Sequence, residues 1–179
     1  VTEADREDTG TDGSLGDGRR ERISSHPTPG RGNSLQQWYK VRNPVRVTIN
    51  YIVILFCRVC PSLRLKRILL RKLGVSVGSG VAFGLESTPD VFWPEFVTVE
   101  DDAVIGYDAT LLCHEFLREE YRTGEVVIRE GAMIGAGAIV LPGVEVGKNA
   151  QVAANSLVAE DVPPETTVAG VPATPANDD

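Results

Sequence analysis

The chain has 179 residues, 42% of them hydrophobic and 24% charged, and its 18 basic and 25 acidic side chains leave a net charge of −7. That balance suits one folded globular domain with a tail and argues against nucleic acid as a partner. Aromatics are scarce at 6% and glycines number 18, so the core has to be assembled from Val, Ile, Leu and Ala.

Residues 1–34 are rich in Asp, Glu, Arg, Gly, Ser and Thr, with only Val1, Leu15 and Ile23 as large aliphatics. Such a segment buries too little apolar surface to offset its ordering entropy, so a disordered acidic tail is expected, with His26 solvated. The opening residues do not read as a secretory leader, and Cys57, Cys60 and Cys113 are an odd count, so a reducing, cytoplasmic setting is expected. Cys57 and Cys60 form C-x-x-C, but no second pair or His stands at zinc-ligand spacing. They read as small apolar side chains, and no metal is expected.

Residues 35–73 form a basic, apolar helical segment. Pro44 suits a first helical turn and opens a helix over 44–60. Ser62 caps a second helix that Gly74 stops. The run INYIVILF over 49–56 is far short of the roughly 18–20 residues that span a bilayer. Residues 40–73 hold nine basic side chains and no Asp or Glu, which leaves the rest of the chain strongly acidic. Two uses fit this asymmetry: a cap whose Arg residues face the main domain's carboxylates, or peripheral contact with an anionic membrane surface.

Within residues 74–173 one apolar residue recurs at six-residue spacing: Ile128, Ile134, Val140, Val146, Val152 and Val158, preceded, with interruptions, by Val77, Phe83, Val99, Ile105 and Leu111. The fourth position of these hexads reads Gly131, Gly137, Gly143, Asn149, Asn155 and Asp161, and upstream Gly80, Glu86, Asp102, Asp108 and His114. Gly, Asn and Asp tolerate positive φ best, so one sharp corner per hexad is expected. Three short extended segments and three corners close a triangular coil, and coils stack at the parallel-strand spacing of about 4.8 Å. The fifth position is small or β-branched (Ala132, Ala138, Val144, Ala150, Ser156, Val162), as a narrow prism requires. Eleven hexads make just under four coils, with loops leaving the prism at 89–98 and about 115–127. Residues 174–179 are a C-terminal tail.

Hexads of this type, a loop after a His and the closing VAGVPA of 168–173 resemble the hexapeptide-repeat acyltransferases, and most closely the maltose and galactoside O-acetyltransferases. The resemblance covers about 75–173 and implies a mainly β fold, a left-handed parallel β-helix, assembled as a homotrimer. It further implies acetyl transfer from acetyl-CoA to a sugar hydroxyl, with the donor in a groove between neighbouring prisms and a rim His as base. Acetylation of an amine and a non-catalytic scaffold are the competing readings. The γ-type carbonic anhydrases share the prism but need three His ligands, and this chain has two His.

His114, in LLCHEF, is the only His outside the tail and is the candidate base. An imidazole, with its ordinary pKa of about 6.5, can take a hydroxyl proton at neutral pH. Glu115 or a backbone carbonyl could orient it, and Glu115 is also a candidate on the acceptor side. Cys113 is expected to point to the opposite face. By resemblance, the small residues Ala136 and Ala154 would contact the pantetheine arm. Relatives often carry Thr-Lys where Ala159-Glu160 stands, so Lys148 is the candidate for holding phosphate. On the acceptor side, Trp93, Glu95 and Asp90 replace the Asn found in sugar-binding relatives.

Overall fold

The computed structural model describes residues 14–176. It begins with α1 (Ser14–Glu21) and β1 (Ser24–Pro27), then a 3₁₀ turn over Ser34–Gln37 and the single turn α2 (Trp38–Val41). The predicted helical pair follows as α3 (Pro44–Val59) and α4 (Leu63–Leu73). Asn43 caps α3 through Val45 N–H, and Ser62 caps α4 through Leu65 N–H. Gly74 ends α4 in the left-handed region at φ 108°.

The remainder is the β-helix. Its first coil is β2 (Ser76–Val77), β3 (Ala82–Phe83) and β4 (Thr88–Pro89). The second is β5 (Val97–Val99), β6 (Val104–Ile105) and β7 (Thr110–Leu111), followed by a hairpin of β8 (His114–Phe116) and β9 (Glu120–Thr123). The third is β10 (Val126–Ile128), β11 (Met133–Ile134) and β12 (Ile139–Val140), and the fourth is β13 (Glu145–Val146), β14 (Gln151–Val152) and β15 (Leu157–Val158). Val162 bridges to Val146 and β16 (Thr167–Gly170) pairs with β14, so a fifth coil starts before β17 (Ala173–Pro175) folds back antiparallel on β16. Like strands of successive coils pair in parallel, giving three faces: β2-β5-β10-β13, β3-β6-β11-β14 and β4-β7-β12-β15. This is the expected left-handed parallel β-helix, one coil-fraction longer than eleven hexads implied. The twelfth strand of the full coils escaped the count because Pro89 holds the leading position.

Nine of the eleven fourth-position residues have positive φ, from Asp108 and Asn149 at 54° to Gly143 at 80°. His114 and Asp161 are the exceptions; His114 instead starts β8, and Glu165 takes the last corner at φ 56°. The leading aliphatics fill the interior: Ile105, Leu111, Ile128, Ile134, Val140 and Val152 are all essentially inaccessible.

Residues 14–34 depart from the expected disorder, while residues 1–13 lie outside the described residues. β1 pairs antiparallel with β9, Ser24 opposite Thr123 and Pro27 opposite Glu120, in a three-stranded sheet with β8. Arg19 donates to the Pro142 carbonyl at 2.8 Å and Arg22 to that of Gly143 at 3.0 Å. His26 stacks on Tyr121, with centroids 4.8 Å apart. The low hydrophobicity of this arm gave no sign of docking because backbone pairing and arginine hold it, with little apolar burial.

The helical pair caps the open end of the first coil, whose outer carbonyls have no further strand to pair with. Arg71 donates to the carbonyls of Val77 and Gly78, Arg67 to that of Val81, and Lys66 to those of Phe83 at 3.1 Å and Gly84 at 2.7 Å. Arg58 pairs with Glu86 at 2.7 Å and Arg42 with Glu95. Lys66 is 1% exposed, and burial pulls its ammonium below the ordinary lysine value. Lys66→Met keeps the bulk and removes the donor, so it is expected to lower stability by about 1–3 kcal/mol. Thermal unfolding checks this; an unchanged midpoint would mean that the two carbonyls do not depend on the ammonium.

On the first face, Arg129 donates to Glu145 at 2.8 Å and Glu100 at 2.7 Å. The bond from Arg129 holds the Glu145 carboxyl below its ordinary range, against the opposing effect of burial. A depressed carboxylate contributes stability above its unfolded pKa and loses it as pH falls through the folded one. The pair is about a third exposed, so its worth is under about 1 kcal/mol. Arg129→Met is therefore expected to be slightly less stable than wild type at pH 7, with the gap closing below about pH 4. Parallel stability curves across that range would count against it.

Candidate active site

His114 stands where the chain leaves the second coil for the β8–β9 hairpin. Its Nδ1 lies 2.6 Å from Asp90 Oδ2. The Asp90 side chain is wholly buried, and its oxygens also accept from the N–H groups of Phe92 and Trp93, each at 2.8 Å, and of Cys113 at 2.7 Å. Four converging donors suit an acceptor-only carboxylate. Donation to the Asp90 carboxylate requires the imidazole proton on Nδ1, the tautomer in which the Nε2 lone pair is free to accept. Phe92, Trp93 and Phe116 surround the ring, with centroids 4.8, 5.2 and 4.9 Å away, and 15% of the side chain remains accessible.

Local sequence explains the arrangement. Thr88 and Pro89 of β4 stack under Thr110 and Leu111 of β7, which sets Asp90 below Cys113 and His114 one coil on. Asp90 then turns the chain by accepting from the two residues that precede the Pro94–Phe96 3₁₀ turn. Asp90, placed on the acceptor side from sequence, is instead wholly buried and hydrogen-bonded to the His114 imidazole. Its signal was the stacking register, which aligns the LEST-PD segment with the DATLLCH segment.

The other candidates are dispersed. Glu115 does not touch the imidazole; it lies 3.4 Å from Arg19 of the N-terminal arm. Trp93 is 6% exposed and packs inward under Arg42, so it offers no open stacking face. Glu95 is taken by Arg42 and by Arg46 at 3.8 Å. Trp93 and Glu95 thus take part in the packing of loop and helices, because the long side chains of Arg42 and Arg46 reach this loop. Cys113 is fully buried, as expected, and desolvation, followed by the Asp90 charge, pushes its thiol well above the ordinary value. A thiol kept protonated is no acyl carrier.

Ala136 and Ala154 are both exposed and stacked one coil apart, with Asn155 N–H donating to the Ala136 carbonyl at 2.8 Å. They sit at the corner between the second and third faces, whereas His114 follows the third face. Lys148 sits at the remaining corner, between the first and second faces, and pairs with Glu130 at 3.1 Å. It lines a cleft of about 610 Å³ with Glu100, Arg129, Glu145 and Pro164. None of those residues touches His114, so that cleft is no part of the imidazole's surroundings. Within one chain, then, His114 and the small-residue strip lie at different corners.

Residues 125–160 match the family model described as bacterial transferase hexapeptide, six repeats. YvoF of Bacillus subtilis (strain 168), provisionally named an acetyltransferase, is 41% identical over 148 residues, which is 82% of this chain and 86% of that protein. The chain belongs to the hexapeptide-repeat acyltransferase family. Among solved structures, a hexapeptide-repeat-containing acetyltransferase from Vibrio cholerae aligns with a TM-score of 0.59 at 19% identity, covering 74% of this chain and 90% of that one. A galactoside acetyltransferase in complex with coenzyme A aligns at 0.55 and 20% identity, covering 75% and 80%. At such identities these two establish the shared β-helix. Among the described residues, no group of His, Cys, Asp and Glu could hold a metal ion.

Proposed function

We propose that this hexapeptide-repeat protein transfers an acetyl group from acetyl-CoA to a hydroxyl of a sugar or polysaccharide precursor, with His114 as general base. The observation that carries the reading is the His114–Asp90 pair, a buried carboxylate on Nδ1 that leaves Nε2 as the proton acceptor. Supporting it, the galactoside acetyltransferase of the same fold was solved with coenzyme A, and another neighbour is a maltose O-acetyltransferase.

The acceptor O–H loses its proton to His114 Nε2 as its oxygen attacks the thioester carbonyl. The tetrahedral intermediate then expels the thiolate, which takes the proton back from the imidazolium and leaves as CoA thiol. Direct transfer needs no enzyme-bound acyl group, in keeping with the buried Cys113. The exposed strip of Ala136 and Ala154 would let an extended pantetheine arm approach the backbone. Because that strip and His114 occupy different corners, a groove between two prisms of a homotrimer would unite one protomer's base with its neighbour's donor strip.

Thiol release from acetyl-CoA, measured with a panel of sugars and polysaccharide fragments, tests the activity. At least one hydroxyl acceptor should stimulate release, and its product should be an ester that hydroxylamine cleaves. A hydroxylamine-resistant product would make the acceptor an amine. No stimulation by any acceptor would leave the scaffold reading.

A further inference from the structure

The helical cap has a second face that the prism does not use. Along α3, Val47, Asn50, Ile54 and Cys57 are buried toward the β-helix. At about 100° per residue, Val45, Ile49, Ile52, Phe56 and Val59 fall on the opposite side within about 80° of arc. All five are 51–67% exposed. On α4, Leu65 and Ile68 are exposed beside Arg64 and Lys72. A solvated helix presents polar groups outward; a continuous apolar stripe there marks a surface awaiting a partner.

Charge selects the partner. Of the nine basic residues in 40–73, Arg42 and Arg58 turn inward to carboxylates, and Lys66, Arg67 and Arg71 to carbonyls of the first coil. The other four, Lys40, Arg46, Arg64 and Lys72, are exposed, although Lys40 reaches the Pro29 carbonyl at 3.4 Å and Arg46 lies 3.8 Å from Glu95, and the segment has no acidic residue. Arg46 and Lys72 share with Val45 and Ile49 a shallow cleft of about 370 Å³. Tyr39 and Tyr51, 50% and 53% exposed, add amphipathic rings of the kind that settle at headgroup level. A second copy meeting this face would oppose like charges. A bilayer rich in anionic phospholipid offers phosphates to the cations and acyl chains to the stripe.

We propose that the α3–α4 face docks the protein on an anionic phospholipid surface, with α3 lying in the plane of the interface. Its 16 residues reach about 24 Å, too short to cross the hydrocarbon core, and no described helix is long and apolar enough to do so.

Flotation of the full chain with phosphatidylcholine vesicles, with and without phosphatidylglycerol, tests the proposal alongside light scattering. The protein should float with the mixed vesicles, less so at high salt. Ile52→Asp with Phe56→Asp should abolish flotation at unchanged circular dichroism, since both side chains point away from the prism. Arg64→Gln and Lys72→Gln should each weaken recovery about fivefold. Failure of the wild type to float with either vesicle overturns the proposal. So does an Ile52→Asp, Phe56→Asp variant that floats normally but has a smaller oligomeric mass, because the face would then join copies of the chain.

Discussion

His114→Ala is expected to lower kcat for acceptor-dependent thiol release by roughly 10²–10⁴-fold, with little change in KM for acetyl-CoA. The imidazole contacts the reacting hydroxyl in the proposed chemistry, whereas the donor strip lies at another corner, so turnover falls and donor binding does not. The side chain is partly accessible, and Asp90 keeps its three backbone N–H donors without the imidazole, so the variant should fold. Steady-state kinetics with the best acceptor decides the matter. Equal turnover in wild type and variant would remove His114 from the chemistry.

Asp90 should separate position from stability. Asp90→Ala strands three backbone N–H groups and the imidazole in a buried site, and is expected to cost about 3–5 kcal/mol in thermal or denaturant unfolding. Asp90→Asn keeps the shape and can still accept on one side. Its amide N–H₂, turned toward His114, favours the tautomer with the proton on Nε2, which cannot act as a base. A fall of about 10²-fold or more in kcat is expected, with KM for donor retained and a pH–rate profile moved from that of wild type. A merely structural carboxylate predicts loss of stability with normal activity per folded molecule; that outcome would sink the positioning role.

Most of the fold was written in one column. Gly, Asn and Asp at the fourth hexad position announce positive φ, and that backbone requirement is local enough to read one residue at a time. Caps were equally legible: Ser62 and Gly74 bound α4 because each satisfies its helix end with its own atoms. His114 was legible as a candidate base by type, yet it was assigned to a corner that its backbone does not make. Asp90 was hidden because its hydrogen bonding depends on which residue lies one coil above it, and an interrupting loop sits between the two. The arm around Ser24–Pro27 was hidden for a related reason. It is held by backbone pairing with β9, and backbone groups carry no residue-specific sign.

The way the two ends of the β-helix are finished has a consequence for how the protein behaves at high concentration. A column of parallel coils is a template at both ends, and unprotected columns would add to one another without limit, as fibrils do. Here lysine and arginine occupy the acceptors at one terminus, and β17 turns antiparallel across the other. Removing either stopper, as by deleting 173–175, should turn a discrete particle into a polymer.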